Sequence, residues 1–108
     1  MRWKTSHQKP RPPLFYLSWT EGDIRGLKHE LIQEVWTEVD SAGFVWRELH
    51  FGLDGHLSGM APKYKEHCGF FDNVPVAVEG LKSNLRPEQF EERWKEACEK
   101  YGQGGPAI

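Results

Sequence analysis

Histidine and cysteine side chains are the first candidates for chemistry in this sequence. His50, His56, His67 and Cys68 lie within a stretch of 19 residues. A zinc site needs four ligands that converge at about 2 Å, and such ligands usually come in short pairs such as CxxC or HxxxH. The adjacent His67-Cys68 pair and the His50–His56 spacing match neither pattern. We therefore predict no metal site and interpret these residues as surface or loop histidines and a buried thiol.

Other catalytic patterns are equally weak. Cys68 and Cys98 would each need a histidine beside them in space to act as a nucleophile, and nothing in their spacing places one there. Two thiols outside any CxxC motif form no disulfide framework, so we predict that both are free. The glycines around Asp54-Gly55 lack the following helix that a phosphate-binding loop requires. The sequence thus predicts no catalytic residue and no cofactor, and it favours a protein that is not an enzyme.

Composition and charge restrict the partners. A chain of 108 residues is long enough for one core, and its five Trp and six Phe residues predict a core built from a few large rings. Residues 1–20 carry four basic residues and no acid, and the rest carry 10 basic against 16 acidic residues, a net charge of −6. A mildly acidic body suits a basic protein partner better than nucleic acid. No apolar run reaches the length of a membrane span or signal segment, so we expect no membrane association and a cytoplasmic location.

The elements that must position the polar residues predict an α+β domain. The prolines in residues 1–13 predict an extended proline-rich arm. We expect residues 14–102 to form a single domain and residues 103–108 to form a disordered tail. A first strand is predicted at Leu14–Trp19. Residues 24–38 allow two interpretations. Apolar residues at helical spacing indicate a helix, whereas Gly26 and the β-branched content of Val35–Val39 favour a strand.

Two turns and a helix complete the predicted fold. Turn chemistry at Asp40–Gly43 leads into a central strand, and Asp54-Gly55 predicts a hairpin followed by a short strand, His56–Met60. Val74–Glu79 is a further candidate, as an edge strand. The pattern Pro87–Tyr101 predicts a helix with one apolar stripe that includes Cys98. We therefore expect an antiparallel meander sheet of four to five strands with one C-terminal helix packed on one face.

A candidate binding face follows from this strand assignment. Large aromatic side chains are enriched at protein interfaces, and here they alternate with acidic ones. If neighbouring strands keep their register, six residues share one side of the sheet and form the predicted site. They are Glu34, Trp36 and Glu38 on one strand, and Trp46, Glu48 and His50 on the next. We expect this face to bind a protein partner.

An alternative is a small-molecule-binding domain or a small enzyme. Its pocket would lie near the loop at residues 61–73, which holds Tyr64, Phe70 and Phe71. A loop of this length in a compact domain is usually functional or packed by its own side chains. In that case a histidine, His50, His56 or His67, would serve as the acid or base.

Four segments of the sequence together form a recognisable pattern: Trp36–Asp40, Gly43–Leu49, Asp54–Leu57 and Pro87–Trp94. This pattern resembles small uncharacterised bacterial proteins that are often associated with immunity to polymorphic toxins. The four segments reproduce an acidic strand, a glycine turn followed by an Arg-Glu strand, an Asp-Gly hairpin, and a closing helix with Phe and Trp four residues apart. The resemblance implies an immunity-like inhibitor that binds a partner protein. It supplies no catalytic residues.

Overall fold

The computed structural model describes residues 10–61 and 75–101. Four antiparallel strands form one sheet in the order β1-β2-β3-β4, and a single helix, α1, packs on one face. This architecture confirms the predicted α+β meander. The elements are β1 (Phe15–Thr20), β2 (Ile32–Val39), β3 (Val45–Gly52), β4 (Leu57–Ala61) and α1 (Pro87–Lys100).

The structure decides between the helix and strand interpretations of residues 24–38. The structure has a single 3₁₀ turn at Lys28–Glu30 and a strand from Ile32. Between them, Leu31 adopts the left-handed conformation, with φ 60°. Because its N–H donates to the carbonyl of Lys28, Leu31 ends the turn in the way a glycine usually does. A longer helix is therefore stopped before the β-branched residues begin.

The β2–β3 turn is built around the buried side chain of Asp40. Its carboxylate accepts hydrogen bonds from the backbone N–H groups of Ala42 and Phe44, at 2.9 and 3.0 Å, and from the Trp46 indole at 2.8 Å. The backbone N–H of Arg11 also donates to it, at 3.2 Å. Burial opposes ionisation, but these hydrogen bonds outweigh it and hold the pKa of Asp40 below its ordinary value.

The second hairpin and the helix begin as predicted. Gly55 has φ 82°, a conformation that favours glycine, and the hairpin closes with a hydrogen bond from Gly52 N to His56 O. Helix α1 begins at Pro87, and the Gln89 side chain accepts a hydrogen bond from the Arg86 N–H at 3.2 Å. Both signals are local in sequence, which is why they could be recognised without the structure.

Each face of the sheet has its own core. On the helix face, Tyr16, Leu49, Phe51, Leu57 and Met60 of the sheet pack against α1. The helix contributes the predicted stripe, in which Phe90, Trp94 and Ala97 are buried and Cys98 and Tyr101 are partly buried. The opposite face is covered by two irregular segments, residues 24–27 and 76–81, whose apolar side chains pack on the strands.

Residues 75–79 do not form the predicted edge strand. Val76 makes one backbone hydrogen bond, from its N–H to Gly43 O at 2.7 Å, and the segment then lies across the opposite face. The edge of β1 is closed instead by residues 83–85. Asn84 and Leu85 donate to the carbonyl of Tyr16, and the Asn84 side chain accepts from the N–H of Ser18. A side-chain amide thus replaces the fifth strand at this edge.

Several predictions concern residues outside the described ranges. These are most of the proline-rich arm, the loop at 62–73 with His67 and Cys68, and the C-terminal tail. Cys98 is described, and it is a free thiol whose pKa is raised by burial. Within the described part of the chain, no helix has the length and apolar character needed to cross a bilayer.

Candidate functional site

The six predicted binding residues do not share one side of the sheet. Thr37 is paired with Glu48, and Glu38 with Arg47, so the side chains of Glu48 and His50 point away from those of Glu34, Trp36 and Glu38. Trp46 is the extra residue of a β-bulge between the Glu38–Arg47 and Val39–Val45 pairs. The prediction of a common face was wrong because the bulge and the register of pairing cannot be read from alternation alone.

Glu38 is buried between the sheet and α1, so a partner cannot contact its side chain. Its carboxylate accepts hydrogen bonds from Tyr16 Oη at 2.8 Å and from Arg47 Nε and Nη2 at 2.8 and 2.7 Å. The Glu38 side chain is only 7% exposed. The two hydrogen bonds from Arg47 offset the desolvation cost of the buried Glu38 charge, which would otherwise be large. The role of Glu38 is therefore structural.

Arg47 extends the same network to the helix. Its guanidinium makes two further hydrogen bonds to the carboxylate of Glu91, at 3.1 and 2.6 Å, and it lies 5.1 and 5.0 Å from the ring centroids of Phe90 and Trp94. Burial raises the pKa of Tyr16, and the hydrogen bond to the Glu38 carboxylate raises it further. The network thus fixes α1 to the sheet through one cation.

Glu34 and Trp36 remain half-buried on the helix face. Glu34 Oε2 accepts two hydrogen bonds, one from Ser18 Oγ and one from Trp36 Nε1 at 2.9 Å. Within the described residues, Glu34 Oε1 accepts none. We call this group of Ser18, Glu34 and Trp36 the Trp36 shelf. The shelf combines an indole with a carboxylate oxygen that can accept another hydrogen bond. Glu34 and Trp36 are the two residues of the predicted site that the structure brings together here.

Phe51 packs beside the Trp36 shelf. Its ring lies 4.7 Å from that of Trp36, and the guanidinium of Arg93 lies 5.0 Å from its centroid on the helix side. Arg93 pairs with Glu96 at 3.4 Å. The shelf is therefore bordered by one cation from α1, which already has an acidic neighbour.

The opposite face holds a carboxylate–imidazole pair. His50 Nε2 lies 2.9 Å from Glu48 Oε1, and the side chains are 15% and 4% exposed. The pair lies beside Gly59, where an added Cβ would come within 2.9 Å of His50 Nδ1. A buried carboxylate that orients an imidazole is an arrangement used in acid–base catalysis. The structure thus unites two predicted residues, but on the other side of the sheet from Glu34 and Trp36.

Sequence reasoning missed an apolar surface at one end of the sheet. Leu31 and Leu53 are 66% and 54% exposed. They flank the paired residues Ile32 and Gly52 of antiparallel strands, so the two positions lie at the same end of the sheet. We call them the leucine pair. The signal that could have indicated an exposed position for Leu53 is the Asp54-Gly55 turn, which places Leu53 at a hairpin tip.

Neither metal-site geometry in the described residues nor comparison with known proteins identifies a further site. The described residues contain no group of three or more His, Cys, Asp or Glu side chains arranged to hold a metal ion. Comparison of the chain with protein-family models, curated proteins and solved structures gave no match.

Proposed function

We propose that this protein is a non-enzymatic protein-binding module, and that it acts as an immunity-like inhibitor by covering part of a partner protein. The observation that carries the proposal is the leucine pair. Two large apolar side chains exposed at the same end of the sheet provide apolar area that a partner can bury.

The backbone at Leu31 supports the same proposal. For an L-residue the left-handed conformation costs about 1–2 kcal/mol, and glycine would avoid that cost. A bulky side chain here is therefore held in a strained and exposed position. Such strain is concentrated at functional sites in proteins. The leucine at this position is better explained by a contact outside the chain than by folding.

Co-purification tests this function. The tagged protein would be recovered from its native host beside a Leu31→Ser/Leu53→Ser variant and an Ala77→Ser control. Ala77 is also exposed, but it lies near the β2–β3 turn, at the other end of the sheet. We expect a partner with the wild type and the control that is lost with the double variant.

Two results would count against a binding module. One is recovery of the wild type only as a monomer without a partner. The other is equal capture by the double variant, provided that its urea denaturation curve matches the wild type. A partner that passes both comparisons must then re-form the complex from purified components.

A small-molecule-binding domain or small enzyme is the second candidate, and the Glu48–His50 pair favours it. A small ligand that uses the imidazole should raise the melting temperature of the wild type but not of His50→Gln. A ligand that stabilises both proteins equally would bind elsewhere and would remove this support.

A further inference from the structure

We infer that the Trp36 shelf binds the side chain of an arginine or lysine from a basic partner protein. This inference rests on the proposed function and names the chemistry of the contact. It concerns residues other than the leucine pair, so separate substitutions can test the two contacts independently.

The first argument is the unused hydrogen-bonding capacity of Glu34. Both intramolecular donors, Ser18 Oγ and Trp36 Nε1, converge on Oε2. The other oxygen, Oε1, accepts no hydrogen bond from residues 10–61 or 75–101, although a carboxylate has about four acceptor sites. The two donors fix the carboxylate in one orientation. A guanidinium or ammonium group can therefore bind it without first ordering the side chain.

The second argument is the aromatic surface next to that carboxylate. Trp is the best partner for a cation–π contact, and Trp36 is held in place by its own hydrogen bond and by Phe51 at 4.7 Å. An arginine head lying on the indole would reach the carboxylate within the same site. The alkyl stem of the arginine would cover the remaining apolar surface.

The third argument is overall charge. The full chain has a net charge of −2, of which residues 21–108 contribute −6, so this acidic part of the chain favours a basic partner. Arg93 carries a positive charge close to the shelf, 5.0 Å from the centroid of the Phe51 ring and 3.4 Å from Glu96. Removal of the positive charge at Arg93 should therefore strengthen the binding of a cationic side chain to the shelf. A purely structural role of Glu34 would not produce this change.

The test uses a blocked arginine, Nα-acetyl-arginine methylamide, and its neutral citrulline counterpart as the matched control. Binding is followed by the indole N–H signals in NMR spectra of the full chain, with the Trp36 signal assigned from Trp36→Phe. We expect the arginine probe to shift this signal saturably and citrulline to leave it unchanged. Glu34→Gln, which keeps an acceptor for Ser18 and Trp36, should weaken binding by about fivefold or more. Glu92→Gln, on the exposed side of α1, should not change it.

Several outcomes would overturn the inference. They are equal shifts with citrulline, no saturable shift of the Trp36 signal, or unchanged affinity in Glu34→Gln. Tighter binding of spermidine than of the arginine probe would instead indicate a free polyamine as the ligand. Loss of partner capture in the leucine variant, with no arginine binding, would leave the proposed function intact and remove only this contact.

Discussion

Replacement of Arg47 by methionine should destabilise the protein more than any other single change in the ion-pair network. Methionine keeps most of the side-chain volume but removes both hydrogen bonds to Glu38. The Glu38 side chain is 7% exposed, so its charge would stay buried with Tyr16 Oη as its only described donor. Breaking a buried pair in this way costs about 3–5 kcal/mol, a large share of the roughly 5–15 kcal/mol that stabilises a typical domain.

The other end of the network provides the matched control. The Glu91 side chain is 54% exposed, so its pairing with Arg47 is screened by water. Replacement of Glu91 by glutamine should therefore cost less than about 1 kcal/mol. A triple variant, Arg47→Met with Glu38→Leu and Tyr16→Phe, removes all three polar partners together. It should recover most of the lost stability, because no buried charge or hydroxyl is left without a partner.

Urea denaturation at neutral pH, followed by circular dichroism, measures these differences. The midpoint should fall strongly in Arg47→Met at an unchanged slope, slightly in Glu91→Gln, and return in the triple variant. The reasoning would be refuted by a cost below about 1 kcal/mol for Arg47→Met, or by equal costs for Arg47→Met and Glu91→Gln. Either result would mean that Glu38 is hydrated in the folded protein.

Two further predictions concern the β2–β3 turn and the leucine pair. The folded-state pKa of Asp40 lies below its unfolded value of about 3.9, so its stabilisation is complete above that pH and is lost as the pH falls through the folded-state pKa. Asp40→Asn should therefore lower stability at neutral pH and flatten the acid-induced loss, as measured by urea denaturation from neutral to acidic pH; an unchanged acid profile would contradict this. Leu31→Asn should raise the free energy of unfolding by about 1 kcal/mol, because asparagine tolerates the left-handed conformation and little burial is lost. The same variant should weaken partner capture, and a loss of stability would show that Leu31 packs against the fold.

Local signals were enough to predict the two hairpin turns and the start of α1. The Asp40–Gly43 and Asp54-Gly55 turns and the proline at the start of α1 each specify a conformation through residues close in sequence. The antiparallel order of β2, β3 and β4 follows because short turns join them. For the same reason the apolar stripe of α1 was predicted correctly.

Side-chain positions across the sheet could not be predicted to the same extent. Each β-bulge adds one residue to one strand and so changes the face on which the next side chains lie. The bulge at Trp46 separates Val45 from the face of Arg47, and the β2–β3 register sends Glu48 and His50 away from Glu34. Nor does the sequence show that Glu38 would be enclosed by Tyr16 and Arg47, because that depends on the register in which β1, β2 and β3 pair.

The most direct test of the proposed function is the affinity of the purified partner for variants of the leucine pair. Leu31→Ser and Leu53→Ser should each weaken binding about tenfold or more, while the exposed control Ala77→Ser leaves it unchanged. Each variant must first show the wild-type denaturation midpoint, or a higher one. Equal affinity across all four proteins, or a wild type that binds no partner at all, would contradict the conclusion that this protein binds a partner through the leucine pair.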